Sequence, residues 1–154
     1  MEKAKKIFNW CALAALIIMI CVYFFPRPIV RDPDNSSIFF IQYRPDDSPV
    51  LDFYYLKGEE ADFDEKAVLE CLSRSREVRT PWNSMTFQSG RVTLYIAVTD
   101  NDVSKHILLG DINYRDSSTG TPEYKILGAE ALKDELLDIL STHLANRQLE
   151  NVGS

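Results

Sequence analysis

A serine nucleophile needs a histidine base, and that base needs a carboxylate to orient it. The chain has two histidines, His106 and His143. His143 falls near the end of the last apolar-periodic segment, where a surface histidine complements the carboxyl end of a helix. His106 opens a strand-like run beside a turn, and Asp111, five residues on, falls on the opposite strand face. No triad is expected, and no catalytic residue is assigned.

Metal chemistry fares no better. The acidic run Glu59, Glu60, Asp62, Asp64 and Glu65 lacks the loop glycine and terminal bidentate glutamate of a helix-loop-helix calcium site, and reads as a solvated cap on a helix start. Asp100 and Asp102 read as turn residues. Gly90, Gly110, Gly120 and Gly128 are too scattered for a phosphate loop. Of three cysteines, Cys11 and Cys21 sit in an apolar segment and Cys71 stands alone beyond it, so neither a disulfide framework nor a thiolate zinc site is expected. No metal and no cofactor are predicted.

Recognition chemistry is better represented. In "SRSREVRTPWNS" the arginines Arg74, Arg76 and Arg79 precede Trp82. A guanidinium beside an exposed indole grips an anion, a sugar ring or a partner side chain by charge, stacking and cation-π contact. The plainer alternative has the arginines complementing a helix end while Trp82 plugs the edge of the core. Phe40, Tyr54 and Tyr95 fall on strand faces opposite the expected core. With helices on only one side of the sheet, these aromatics form a partner-binding patch. The candidate surface is therefore Arg76, Arg79, Trp82, Phe40, Tyr54 and Tyr95.

The elements that would carry these residues follow from periodicity. "IFFIQYR" and "VLDFYYL", separated by a Pro-Asp-Asp-Ser-Pro gap, predict a hairpin, with Phe39, Ile41 and Tyr43 on one face and Leu51, Phe53 and Tyr55 on one face. Asp62 and Glu65 have capping-box spacing, and a helix is expected over about 64–77, with Cys71 on its buried side. "RVTLYIAVT" alternates, placing Val92, Leu94, Ile96 and Val98 on one side. A turn at Asp100-Asn101-Asp102 leads to the returning strand "KHILLGDINYR", with Gly110 a bulge, and then to the short strand "EYKIL". Leu132, Leu136, Leu140 and Leu144 recur every four residues, which predicts one apolar helical face. The expectation is an α+β, two-layer domain: an antiparallel sheet of about five strands, in the order ββαβββα, with both helices on one face.

Ahead of this domain stands "IFNWCALAALIIMICVYFF", residues 7–25, with one amide and no charge. As a helix it is roughly 28 Å long, close to the ~30 Å of a bilayer's hydrocarbon. It lacks a polar stripe, and no pair of small residues after Phe25 offers a cleavage site. An uncleaved membrane anchor is expected over 1–25, then a Pro-rich spacer over 26–37, the domain over 38–145, and a frayed tail over 146–154. Three lysines precede the segment and Arg27 and Arg31 follow it, which favours an inside amino terminus and an outward domain.

Beyond the anchor, 14 basic residues face 22 acidic ones, a formal charge of −8. That balance excludes a nucleic-acid surface and argues against docking by charge onto anionic lipid. With "VTLYIAV", "HILLGDINY", "EYKIL" and the closing helix "ELLDIL", the span 85–139 resembles small membrane-tethered extracytoplasmic domains of unknown function from Gram-positive bacteria. The resemblance implies a tethered domain in a bacterial envelope and no activity. The function expected is a non-enzymatic binding or interaction module, single-pass in the plasma membrane, with an envelope protein as partner. The alternatives are a small-ligand or cell-wall sensor using the Arg79 and Trp82 loop, and an uncharacterised envelope enzyme that depends on His106.

Overall fold

The computed structural model describes residues 2–45, 53–57, 63–80, 90–117 and 122–152. Helix α1 (Glu2–Tyr23) carries the apolar segment. The 18 residues Lys6–Tyr23 have a mean hydropathy of 2.0, and none of them is buried in the fold. By length and composition α1 is long enough to cross a bilayer.

Eight strands among the described residues form one antiparallel sheet: β1 (Arg27–Pro28), β2 (Ser36–Tyr43), β3 (Phe53–Leu56), β4 (Arg76–Arg79), β5 (Val92–Asp100), β6 (Val103–Gly110), β7 (Tyr114–Ser117) and β8 (Pro122–Leu127). Their spatial order is β1-β4-β8-β7-β6-β5-β2-β3. Helices α2 (Glu65–Arg74) and α3 (Ala129–Val152) complete the chain. Val68, Leu69 and Leu72 of α2 and Leu132, Leu136 and Leu140 of α3 share one core with Ile38, Ile41, Leu94, Ile96, Val98, Ile107, Leu109 and Ile126 of the sheet. Each fully buried side chain of this kind contributes about 1.5–3 kcal/mol. The two-layer α+β plan stands, with eight strands in place of about five.

The three added strands have physical causes. The segment expected as a spacer enters the fold: β1 pairs with β4 at the sheet edge, where a proline costs no ladder bond, and Ile29 and Val30 are fully buried. Strand β4 stands where a helix end is expected: its core-face residue is the charged Glu77, held by Arg115 of β7, so it lacks the apolar alternation of a strand. The run read as one returning strand breaks after Gly110, where Asn113 Oδ1 accepts the Gly110 N–H at 3.0 Å and β7 begins at Tyr114. At the other end α3 continues through Val152, so residues 146–152 are helical rather than a frayed tail.

Local details also differ. The register of β2 on β5 shifts between Ile38 and Phe40, a bulge that leaves Phe39 54% exposed and puts Ile38 with Ile41 in the core. The Ile38 N–H at this bulge donates to Glu65 at 2.8 Å. Glu65 therefore closes a strand defect, and Asp64 is the residue that caps α2 through the Ala67 N–H. Asp62, Leu51 and Trp82 lie outside the described residues. Cys71 is buried, and desolvation, followed by the neighbouring Glu135 carboxylate, pushes its thiol up to about 12, so it acts as a small hydrophobe.

The bulge expected at Gly110 lies instead on the facing strand β5, between Val92 and Leu94, with Gly110 paired to Val92. Gly110 has φ +157°, and a Cβ there would stand 2.3 Å from the Arg91 carbonyl oxygen and 2.8 Å from the Thr93 nitrogen. Both obstacles are backbone and cannot rotate away. Gly110→Ala is expected to destabilise the domain by on the order of 1–3 kcal/mol, read as a lowered urea midpoint.

Candidate functional site

The predicted surface residues occupy separate places. Phe40 and Tyr95 lie on the helix-free face, half-buried, with ring centroids 5.3 Å apart in an edge-on contact. Tyr54 takes the same-face register position, across Gln42 from Tyr95. Arg76 is exposed in β4, four strands away from β5. Arg79 ends β4 on the helix-covered side, with its guanidinium 4.7 Å from the Tyr23 ring of α1 and 5.9 Å from that of Tyr124. Phe40 and Tyr95 thus share one face, and Arg76 and Arg79 lie apart from them.

Beside the patch, the Tyr95 hydroxyl is hydrogen-bonded to His106 Nδ1, and Ser104 Oγ lies 3.2 Å from Nε2. Asp116 Oδ1 stands 4.0 Å from Nδ1. Burial, then the charge of Asp116, raises the Tyr95 and Tyr114 phenols above their ordinary value. The residue types resemble a hydrolytic set, but the phenol rather than the carboxylate holds Nδ1. Ser104 and His106 also both belong to β6, which is paired on each side to β5 and β7, so the strand's amides are committed to its ladders. An oxyanion needs free donors aimed at one point. The cluster links β5, β6 and β7 beside the aromatic face.

A site that the sequence reading missed lies on the helix-covered side, where α1 gives way to β1. Arg27, Arg31, Glu77, Asp100, Asn101, Val103, Lys105, Arg115 and Tyr124 line a cavity of about 270 Å³. Core-face alternation carries Lys105 in line with Ile107 and Leu109, and Arg115 pairs in register with Ile107 and Tyr124. Arg115 donates two bonds to Glu77, 2.6 and 3.0 Å, and stacks 4.1 Å from the Tyr124 centroid. Lys105 Nζ donates to Asp100 and, at 2.6 Å, to the Ile29 carbonyl. Asp100 also accepts from the Arg31 N–H at 3.1 Å, from Ser36 Oγ at 3.2 Å and from Asn101 Nδ2 at 3.1 Å.

The two carboxylates of the cavity titrate in opposite directions. Burial pushes the Glu77 carboxyl above its ordinary value, and Arg115 pulls it only part of the way back. Burial acts on Asp100 in the same sense, but the bonds from Lys105, the Arg31 amide and Ser36 together outweigh it, and the carboxyl sits below its ordinary value. The signal for this site was the placing of lysine and arginine at core-face positions of apolar strands. A charge at such a position demands a buried partner.

No group of three or more metal-ligating side chains occurs among the described residues. The chain matches no protein-family model, no curated protein and no solved structure, so the reading of its role rests on its own residues.

Proposed function

We propose that this chain is a non-enzymatic interaction module anchored in the plasma membrane by α1, with the amino terminus inside and the sheet domain displayed outside to an envelope protein. The observation that carries this reading is α1 itself. Eighteen residues of high hydropathy include none that the domain buries, and the first strand begins four residues after the helix ends. Lipid is the solvent that suits such a helix. Three lysines on its short side against two arginines beyond it favour the stated orientation. The surface offered to the partner is the helix-free face around Phe40, Tyr95 and the register position of Tyr54, since half-buried aromatics with polar rims are what protein partners anchor on.

The test is fractionation of cells expressing the chain with a carboxyl-terminal tag. The expected result is a full-length product, first residues included, that resists alkaline carbonate, is released by detergent, and loses its tag to protease added outside intact cells. A product lacking residues 1–25, or a protected tag, overturns the anchor or its orientation respectively. A photo-crosslinker at position 39 or 95 is expected to trap one dominant envelope protein. The alternative is a small-ligand or cell-wall sensor using the Arg79 and Trp82 loop; Arg79 lies against the Tyr23 and Tyr124 rings, and Trp82 lies outside the described residues.

A further inference from the structure

We propose that the cavity at the exit of α1 binds a phosphate-type anion, gripped by the guanidinium groups of Arg27 and Arg31. Four cations line it, Arg27, Arg31, Lys105 and Arg115, against two carboxylates, Glu77 and Asp100. Both carboxylates are already engaged, Glu77 by the fork of Arg115 and Asp100 by Lys105. Among the described residues no hydrogen bond or ion pair reaches the guanidinium of Arg27 or Arg31. The lining therefore carries two more cations than carboxylates, with Arg27 sharing the charge of Glu77 with Arg115, and the planar forks of Arg27 and Arg31 match a tetrahedral oxyanion.

Size and rigidity point the same way. A volume of about 270 Å³ falls below the range usual for drug-sized ligands, and leaves room for a phosphate, ~90 Å³ if it displaces some three waters, with its remaining hydration. The walls are fixed: Lys105 is pinned between Asp100 and the Ile29 carbonyl, and Arg115 between Glu77 and the Tyr124 ring. Arg27 is half-buried and Arg31 exposed, so these two side chains are the ones to be ordered on binding, which limits the entropic cost. Preorganised cationic walls of this kind raise anion affinity without a net positive domain, so the formal −8 beyond the anchor does not oppose it.

The surroundings suit one source in particular. Arg27 also borders an apolar depression of about 380 Å³ formed with Cys21, Val22 and Phe25 at the end of α1. A cationic hole beside an apolar trough, where a membrane helix emerges, has the two-part character of a phospholipid, headgroup above and acyl chain below. Soluble phosphate offers the same oxygens without the tail. The lipid source alone rests on α1 being a membrane anchor; the anion site does not.

The full-length chain in an uncharged maltoside micelle is titrated with inorganic phosphate by calorimetry. Saturable binding is expected, weakened about tenfold or more in Arg27→Gln/Arg31→Gln and in Val103→Glu, which places a carboxylate at an exposed lining position. Lys57→Gln/Lys125→Gln, the same loss of charge outside the cavity, is expected to bind as the parent does. The parent is then reconstituted in vesicles of phosphatidylcholine alone or with 30% phosphatidylglycerol. If a headgroup is the natural occupant, phosphate binding weakens in the anionic vesicles, and the arginine pair is needed for that competition. Equal phosphate binding in the two vesicles assigns the site to a soluble phosphate. Absence of saturable phosphate binding in micelles and vesicles alike, or equal binding by the parent and both cavity variants, overturns the site. Neither result touches the anchor, which is read by fractionation.

Discussion

Arg115→Met is expected to lower the stability of the sheet domain by about 3–5 kcal/mol, the cost of leaving one member of a buried ion pair alone. Glu77 and Arg115 expose 3% and 7% of their side chains, so the orphaned carboxylate has no water to fall back on. It does have a proton. Its folded value already lies above the ordinary 4.5, with burial the main cause, and loss of Arg115 raises it further. A group whose folded value is raised contributes stability below the unfolded value and loses it as pH rises through the folded one. The deficit of Arg115→Met should therefore be smaller near pH 4.5 than at pH 7.5, where keeping Glu77 charged or protonating it is most costly. Urea unfolding of the full chain in micelles at the two pH values measures this. Glu77→Leu/Arg115→Met removes both charges and fills the space with apolar volume, and recovers most of the loss. A double variant as weak as the single would mean that Lys105 and Arg27, both facing Glu77 electrostatically, make the pair irreplaceable.

What was legible in the chain divides along apolar and polar lines. Wherever burial is achieved by side chains of the periodic apolar kind, the pattern is readable: Leu94, Ile96 and Val98 face the core of β5, and Leu132, Leu136 and Leu140 make the buried stripe of α3. The Asn101-Asp102 turn is equally local, with φ of +49° and +63° that asparagine and aspartate tolerate. The apolar rule fails where a strand is held by charges. Strand β4 presents Glu77 to the interior, and nothing within Arg76–Arg79 reveals that Arg115, 38 residues away, will meet it. Bulges fail for a related reason, since the Phe39 bulge changes which residues face inward by one and is stabilised by Glu65 from a different element.

The candidate site shows the same division. The aromatic patch was readable because strand alternation alone sends Phe40 and Tyr95 away from Ile41, Leu94 and Ile96. Its arginines were grouped by nearness in sequence, and alternation within β4 sends Arg76 and Arg79 to opposite faces. The basic cavity needed topology. It assembles residues from the exit of α1, from β4, from the β5–β6 hairpin, from β7 and from β8, which only the strand order brings together.

The second large effect is expected at Asp100, and its asymmetry with Lys105 tests how that network is organised. Asp100 is a hub: besides Lys105 it accepts from the Arg31 amide, Ser36 Oγ and Asn101 Nδ2, tying the entry segment after β1 to the β5–β6 hairpin. Asp100→Asn keeps the shape and one acceptor oxygen but removes the counter-charge of the Lys105 ammonium, 9% exposed, and turns an amide NH2 toward groups that donate, and should cost about 3–5 kcal/mol at pH 7. Lys105→Met leaves a carboxylate that still has three donors, and should cost less. The folded value of Asp100 lies below its ordinary 3.8, so its contribution is complete above that value and disappears as pH falls through the folded one. Parent and Asp100→Asn share Glu77, whose opposite dependence cancels in the difference. The gap between their urea midpoints is therefore constant from pH 7 to about 5 and closes progressively below 3.8. A gap that does not narrow at all as pH falls below 3.8, or a Lys105→Met variant weaker than Asp100→Asn, would place the hub at the ammonium instead of the carboxylate.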